Sequence, residues 1–196
     1  MWSRQLMGTD MYHIIHWFFV YSILGWLIES IYMSICNRKI TNRGFIRGPI
    51  CPIYGVGALT VYFILKPYSG NYILLYFYGA FLATALEYLT AKLMIRVFGE
   101  VWWDYHNKPF NYKGILCLES TVAWGFYTVF MFGFLQKFVE AIVNGYSVHA
   151  GIRIGTIVIV YFILDFTFSM LEAKLERMPK SMSELQETIK AVIYRN

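Results

Sequence analysis

Five apolar runs, at residues 11–35, 49–65, 72–98, 115–135 and 151–172, dominate this chain and constrain its fold class more than any motif does. A helix that crosses about 30 Å of hydrocarbon needs about 20 apolar residues. Four of the runs reach that length. The second opens on Pro49 and is short, so its start is expected inside the bilayer or in a protein-lined recess. In hydrocarbon only helices and closed barrels satisfy every backbone group. The expectation is an all-α polytopic membrane protein with about five transmembrane helices. Composition points the same way: 58% hydrophobic and 15% charged, against about 45–50% and about 25% in soluble proteins. The 16 Tyr, 16 Phe and six Trp suit membrane interfaces, where amphipathic rings settle.

Basic residues set the expected orientation. Of the 17 Lys and Arg, only Arg4, Lys66, Lys137 and Arg153 fall on the side of the N-terminus; the rest sit in the first and third loops, nearby helix ends and the tail. The positive side is cytoplasmic, which puts the N-terminus outside, the C-terminus inside, and the protein in the cell membrane as a multi-pass chain. A net charge of +5 spread over loops, without a basic stripe or known motif, does not suggest a nucleic-acid partner. The N-terminus lacks a small-residue cleavage site and is not expected to be a removed signal peptide. Cys36, Cys51 and Cys117 are an odd set without C-x-x-C spacing, read as free thiols. Residues 1–178 form the expected membrane domain. Over 179–196, Ser181-Met182-Ser183-Glu184 reads as a capping box, followed by apolar residues at helical spacing, which predicts a cytoplasmic amphipathic tail helix. The mixed stretch 138–150 is expected to lie on the surface.

Within this frame one segment stands apart. Residues 42–57 hold two Arg, two Pro and four Gly between two apolar runs. Glycine permits close backbone approach and proline stops a helix, so the segment is expected to build a site or a tight re-entrant turn. A second segment resembles it. Asn42-Arg43-Gly44-Phe45 followed by Arg47-Gly48-Pro49-Ile50-Cys51 is answered by Asn107-Lys108-Pro109-Phe110 followed by Lys113-Gly114-Ile115-Leu116-Cys117. Glu29 precedes Arg38, and Glu87 precedes Arg96, by the same interval. The expectation is a parallel internal repeat of two helical pairs plus one helix, an architecture found among transport proteins.

Glu29, Glu87, Glu119 and Glu172 fall in the cytoplasmic halves of their runs. Intramembrane acids are costly and face a partner or a cavity. Arg43, Arg47 and Lys113 are the expected partners. Two readings follow: ion pairs that pin loops to helix ends, or an inward-facing polar cavity for a cation, a proton or an anionic head group, which Asp165 would extend. The candidate residues are Glu29, Asn42, Arg43, Arg47, Tyr54, Glu87, Asp104, Asn111 and Glu119. Trp102-Trp103-Asp104-Tyr105 reads as an aromatic belt, beside which Asp104, Asn107 and Asn111 could meet a head group. Asp10, His13 and His16 read as interfacial polar residues in preference to a metal site. Neither a G-x-x-x-x-G-K-[ST] loop, nor G-x-S-x-G, nor H-E-x-x-H occurs, so no cofactor, metal or catalytic motif is expected. Any ATPase would be another chain.

Three clusters together resemble a known family. They are Tyr21-Ser22-Ile23-Leu24-Gly25-Trp26 with Glu29 and Tyr32; the 42–57 segment with Pro52-Ile53-Tyr54-Gly55 and Gly57; and Trp103-Asp104-Tyr105 with Pro109, Phe110-Asn111, Gly114 and Trp124-Gly125. This set is similar to the CmpB-type ABC-transporter membrane proteins. The resemblance implies a bacterial multi-pass permease, with the bilayer, self-association or a separate ATPase subunit as partners. It carries no assigned substrate or catalytic residue. The alternative is an intramembrane enzyme or binding protein for a lipid or phosphorylated head group. There Arg43 and Arg47 would hold phosphate and Glu29 or Glu87 would act as acid or base. Of the two, transport is preferred.

Overall fold

The computed structural model describes residues 2–99, 101–175 and 190; the tail helix expected over 179–196 lies outside the described residues. Among the described residues, a two-strand hairpin, β1 (Gln5–Leu6) and β2 (Thr9–Asp10), leads into six α-helices. They are α1 (Met11–Asn37), α2 (Pro52–Leu65), α3 (Tyr72–Phe98), α4 (Leu118–Phe130), α5 (Gln136–Asn144) and α6 (Val148–Leu175). The described residues are thus mostly helical, with almost no sheet. Among the described residues, four helices are long and apolar enough to cross a membrane: Met11–Asn37, Tyr72–Phe98, Leu118–Asn144 and Val148–Leu175.

The helix boundaries follow local chemistry. Asp10 caps α1 by accepting from the His13 backbone N–H at 2.9 Å, and Asn71 caps α3 by accepting from Ile73 and Leu74 at 3.1 Å. These bonds satisfy donors that a helix start leaves open. The α2 helix begins at Pro52, three residues later than the apolar run, because Pro49 and Pro52 lack the N–H a continuing helix needs. Its 14 residues cover about 21 Å at 1.5 Å per residue. The stretch 138–150 departs from expectation. The helix that starts at Leu118 runs on to Asn144 through a π turn at Met131–Leu135. Val139, Val143 and Gln136 lie on one face of α5 and are buried, which explains why a mixed sequence stays helical.

Packing comes in two antiparallel pairs, α1 with α2 and α3 with α4, joined by α1–α5 and α2–α3 contacts. Small residues let the backbones approach, the usual device where helices pack inside a membrane. A Cβ on Gly55 of α2 would land on Ser22 Oγ and lie 2.6 Å from the Phe18 backbone oxygen. In the second pair, a Cβ on Gly79 of α3 would strike the Thr128 side chain of α4. The apolar core runs through Trp17, Tyr21, Val61, Tyr62, Leu75, Met131 and Val139. Helix α6 packs loosely on α1, with Phe162 against Phe18 and Phe19, and leaves much of its apolar surface uncovered.

Candidate functional site

Both helical pairs turn at the same end of the bundle, where loops 38–51 and 99–117 form a single cap. The first loop is driven inward by its apolar residues. Ile46 and Ile50 are each 2% exposed and pack with Phe19, Val158 and Phe162 between α1 and α6. Phe45 stacks on Trp102 of the second loop with ring centroids 5.1 Å apart and meets Phe98 of α3 and Phe166 of α6. Ring contacts of this kind add to the area they bury.

Polar contacts then lock this apolar anchor. Arg43 Nε donates to Glu29 Oε1 at 3.0 Å, and Nη2 of the same guanidinium donates to the Trp102 carbonyl at 3.0 Å. The planar fork reaches two acceptors at once, which an ammonium cannot do with the same geometry. The other Glu29 oxygen accepts from the Tyr54 hydroxyl at 2.9 Å. Asn42 accepts from Trp26 Nε1 at 2.5 Å and donates to the Arg47 carbonyl at 2.8 Å, so it shapes the turn. Arg47 pairs with Glu172 at 2.8 Å. Asp165 of α6 accepts from the backbone N–H of Arg47 at 3.3 Å and of Gly48 at 2.8 Å. A Cβ at position 48 would strike the Tyr161 hydroxyl and crowd Asp165 Oδ2, so a side chain there would have to displace them.

The second carboxylate is held differently. Glu87, 8% exposed, accepts from the Tyr105 hydroxyl at 2.9 Å, Trp124 Nε1 at 3.0 Å and the Ser120 hydroxyl at 3.4 Å. All three donors are neutral. Burial, and then the neighbouring Glu87 charge, push the Tyr105 hydroxyl above its ordinary pKa. The two carboxylates share one relationship. Tyr54 stands three residues after Cys51, the N-cap of α2, and Ser120 three residues after Cys117, the N-cap of α4. Each donates to the Glu of the helix before it.

The remaining candidates tie the second loop together. Asn111 donates to the carbonyls of His106 at 3.1 Å and Lys108 at 2.8 Å, and accepts from the Gly114 N–H at 3.2 Å. Asp104 accepts from the His106 backbone N–H and ring, which lowers its pKa. Glu119 pairs with Lys108 at 2.8 Å. Lys113, expected as a carboxylate partner, instead lies over the Tyr112 ring. The loop turns sharply there, with positive φ at Lys113 and Gly114. Arg43 and Glu29, and Arg47 and Glu172, do come together as ion pairs. Sequence reasoning missed Tyr105, Ser120 and Trp124 as Glu87 donors; the matched Cys-to-hydroxyl spacing was the available signal for Ser120.

At the opposite end, His16 does not join Asp10 and His13. Its ring nitrogens face the carbonyls of Tyr12 at 2.7 Å and Gly151 at 3.1 Å, while His13 Nδ1 lies 2.8 Å from Asp10. Burial disfavours the Asp10 carboxylate, but bonds from the His13 backbone and ring outweigh it and lower its pKa.

The Arg43 contacts carry a prediction. R43A removes one charge-assisted bond to Glu29 and the tie to loop 99–117, and is expected to cost about 2 kcal/mol. R43K should recover only part of that. Thermal unfolding in detergent measures both, and an unshifted R43A midpoint would show that the cap is held by its apolar residues alone.

No curated protein and no solved structure matches this chain. Over residues 16–170 it matches the family described as "Putative ABC-transporter type IV", ABC_trans_CmpB, and with most of its length inside that match the chain is a member of this family of membrane proteins.

Proposed function

We propose that this chain is the membrane component, or permease, of an ABC-type transporter, with a Glu/Arg polar site facing the cytoplasm and energy supplied by a separate ATPase subunit. In this reading it crosses the membrane five times, with α2 as a short span and the N-terminus outside. The cap of loops 38–51 and 99–117 then faces the cytoplasm, as the distribution of Lys and Arg requires. The α1–α2 and α3–α4 pairs are a parallel repeat, supported by the matched hydroxyl-to-Glu contacts of Tyr54 with Glu29 and Ser120 with Glu87.

The observation that carries the reading is Glu87. A buried carboxylate ringed by three neutral donors is a charge held at a cost inside an apolar bundle. A proton or a cation that reaches it removes that cost. One of its donors, Tyr105, belongs to the cap, so a movement of the cap changes how well Glu87 is held. Arg43 ties the two loops together and Arg47 ties them to α6, so force applied to the cap by an ATPase reaches three helices. Arg43 and Arg47 are engaged by Glu29 and Glu172, which favours this reading over a phosphate-holding enzyme.

The test is purification of the chain from native membranes with whatever ATPase accompanies it, followed by ATP hydrolysis and transport assays in vesicles. E87Q keeps the shape of the side chain and should keep the partner, while coupled transport falls by about tenfold or more, because a proton or cation then finds no buried charge to neutralise. Absence of an associated ATPase, or an E87Q variant with full transport, would overturn the proposal.

A further inference from the structure

Arg43, Arg47 and Lys108 of the cap are each answered by a carboxylate. Lys92, Arg96 and Lys113 are not. All three are exposed, and among the described residues no carboxylate lies within ion-pair reach of them. They come from two elements that meet through a pair of rings. Lys92 Nζ lies 5.6 Å from the centre of the Tyr88 ring on α3, and Lys113 Nζ lies 5.5 Å from that of Tyr112 in loop 99–117. The two ring centroids are 6.4 Å apart. Tyr88, Lys92 and Arg96 follow at intervals of four, so they share one face of α3. An exposed ammonium over a ring gains only about 0.5–1 kcal/mol, which does not replace the anion it would pair with.

A second observation concerns depth. The 27 residues of α3 extend about 40 Å at 1.5 Å per residue, against about 30 Å of hydrocarbon. Its last turns therefore stand among the lipid head groups. Arg96 is in the last turn and Lys92 one turn before it, a level at which tyrosine rings also settle. Toward the membrane centre the helix turns apolar. Leu89, three residues before Lys92, is 61% exposed, and Phe81, two turns further on, is 76% exposed. Unpaired positive charge at head-group level, continued by bare apolar surface at acyl-chain level, is complementary to a lipid with a negative head. Each Lys or Arg beside an anionic bilayer surface contributes about 1 kcal/mol of attraction.

We propose that the last turns of α3 and the turn at Tyr112–Lys113 form a binding site for an anionic glycerophospholipid. Lys92 and Lys113 hold its phosphate, with Arg96 one turn beyond Lys92. The Tyr88 and Tyr112 hydroxyls donate to head-group oxygens, and an acyl chain lies along Leu89 and Phe81. The proposal does not depend on the transport reading or on which leaflet the cap meets. Its consequence reaches the buried carboxylate: the lipid clamps loop 99–117 to α3, the two elements that the Tyr105–Glu87 bond joins on the inner side.

The probe is dioleoyl phosphatidylglycerol, titrated into the detergent-solubilised full chain and read by native mass spectrometry, with dioleoyl phosphatidylcholine as the zwitterionic comparison. Saturable binding of phosphatidylglycerol is expected, with phosphatidylcholine about tenfold weaker. The double variant K92Q/K113Q should weaken phosphatidylglycerol by about tenfold or more. K39Q/K174Q removes two other exposed charges from the same end of the bundle and should leave binding within about twofold of wild type. Circular dichroism melts confirm that both variants are folded. Glycerol 3-phosphate carries the phosphate without acyl chains and should not displace the lipid; displacement would mark a site for a free phosphate compound and overturn the lipid assignment. Equal affinity for the two lipids, or equal losses in the two double variants, as undirected surface charge would produce, would also overturn the proposal.

Discussion

G55V is expected to be the most damaging single substitution in the membrane domain, with a loss of about 3 kcal/mol, the upper range for overpacking a filled contact. A Cβ at position 55 meets Ser22 Oγ and the backbone oxygen of Phe18. The side chain could turn aside; the backbone oxygen cannot, because it also accepts the Ser22 hydroxyl at 2.7 Å. Helices α1 and α2 must therefore separate. Their separation loosens the Cys51 N–H to Ser22 carbonyl bond at 3.0 Å, and with it the start of α2. The contact is local to one pair, so Glu87 in the other pair should keep its donors. Thermal or denaturant unfolding in detergent measures the loss. G55V with the wild-type midpoint would falsify the close approach of these two helices.

E87A is the second large effect, and its sign needs an argument. Removing a buried carboxylate relieves its desolvation cost, and a well-packed apolar replacement for a charged group can be neutral or stabilising. Alanine does not fill the space. It leaves the Tyr105 hydroxyl and the Trp124 indole N–H facing a void, while the Ser120 hydroxyl keeps the Cys117 carbonyl at 3.0 Å. Each orphaned donor costs about 1–3 kcal/mol where water cannot reach it, and the two share one carboxylate, so their costs do not add. A net loss of about 3 kcal/mol is expected. The W124F background removes one donor and should shrink the penalty, which a double-mutant cycle reads directly. Amide exchange in residues 99–117 should also quicken, because Tyr105 is the loop's hydroxyl tether to Glu87 in α3. An E87A protein as stable as wild type, with unchanged exchange in that loop, would remove Glu87 from the centre of the site.

The parts of the site that could be read in advance were those carried by unusual local chemistry. Arg43 and Arg47 stood out because they sit in a Gly- and Pro-rich segment between two apolar runs, and Glu29 because an acid in an apolar run needs a partner. The pairing of Arg43 with Glu29 across 14 positions follows from a hairpin whose turn the Gly and Pro residues announce. Glu87 was equally visible, but its donors were not. Trp124 lies 37 positions away on another helix, and an indole in a membrane segment looks the same whether it faces lipid or a carboxylate. Lys108 and Lys113 flank the same turn with the same charge. The structure sets Lys113 over the Tyr112 ring, in a turn with positive φ at Lys113, and pairs Lys108 with Glu119. Glu140 sits in a stretch whose mixed composition reads as surface, yet α5 is helical there, with Val139 and Val143 buried on one face.

By itself, the sequence determined the solvent and the class of fold. Apolar runs of membrane length admit only helices once water is excluded, and Gly- and Pro-rich segments can only be the turns between them. The tertiary structure decided which helices pair and which cation meets which carboxylate. Apolar transfer is a sum over residues along the chain and can be read there. A hydrogen bond depends on two atoms meeting within about 3 Å, and that meeting is set by how closely Gly55 and Gly79 let neighbouring helices approach.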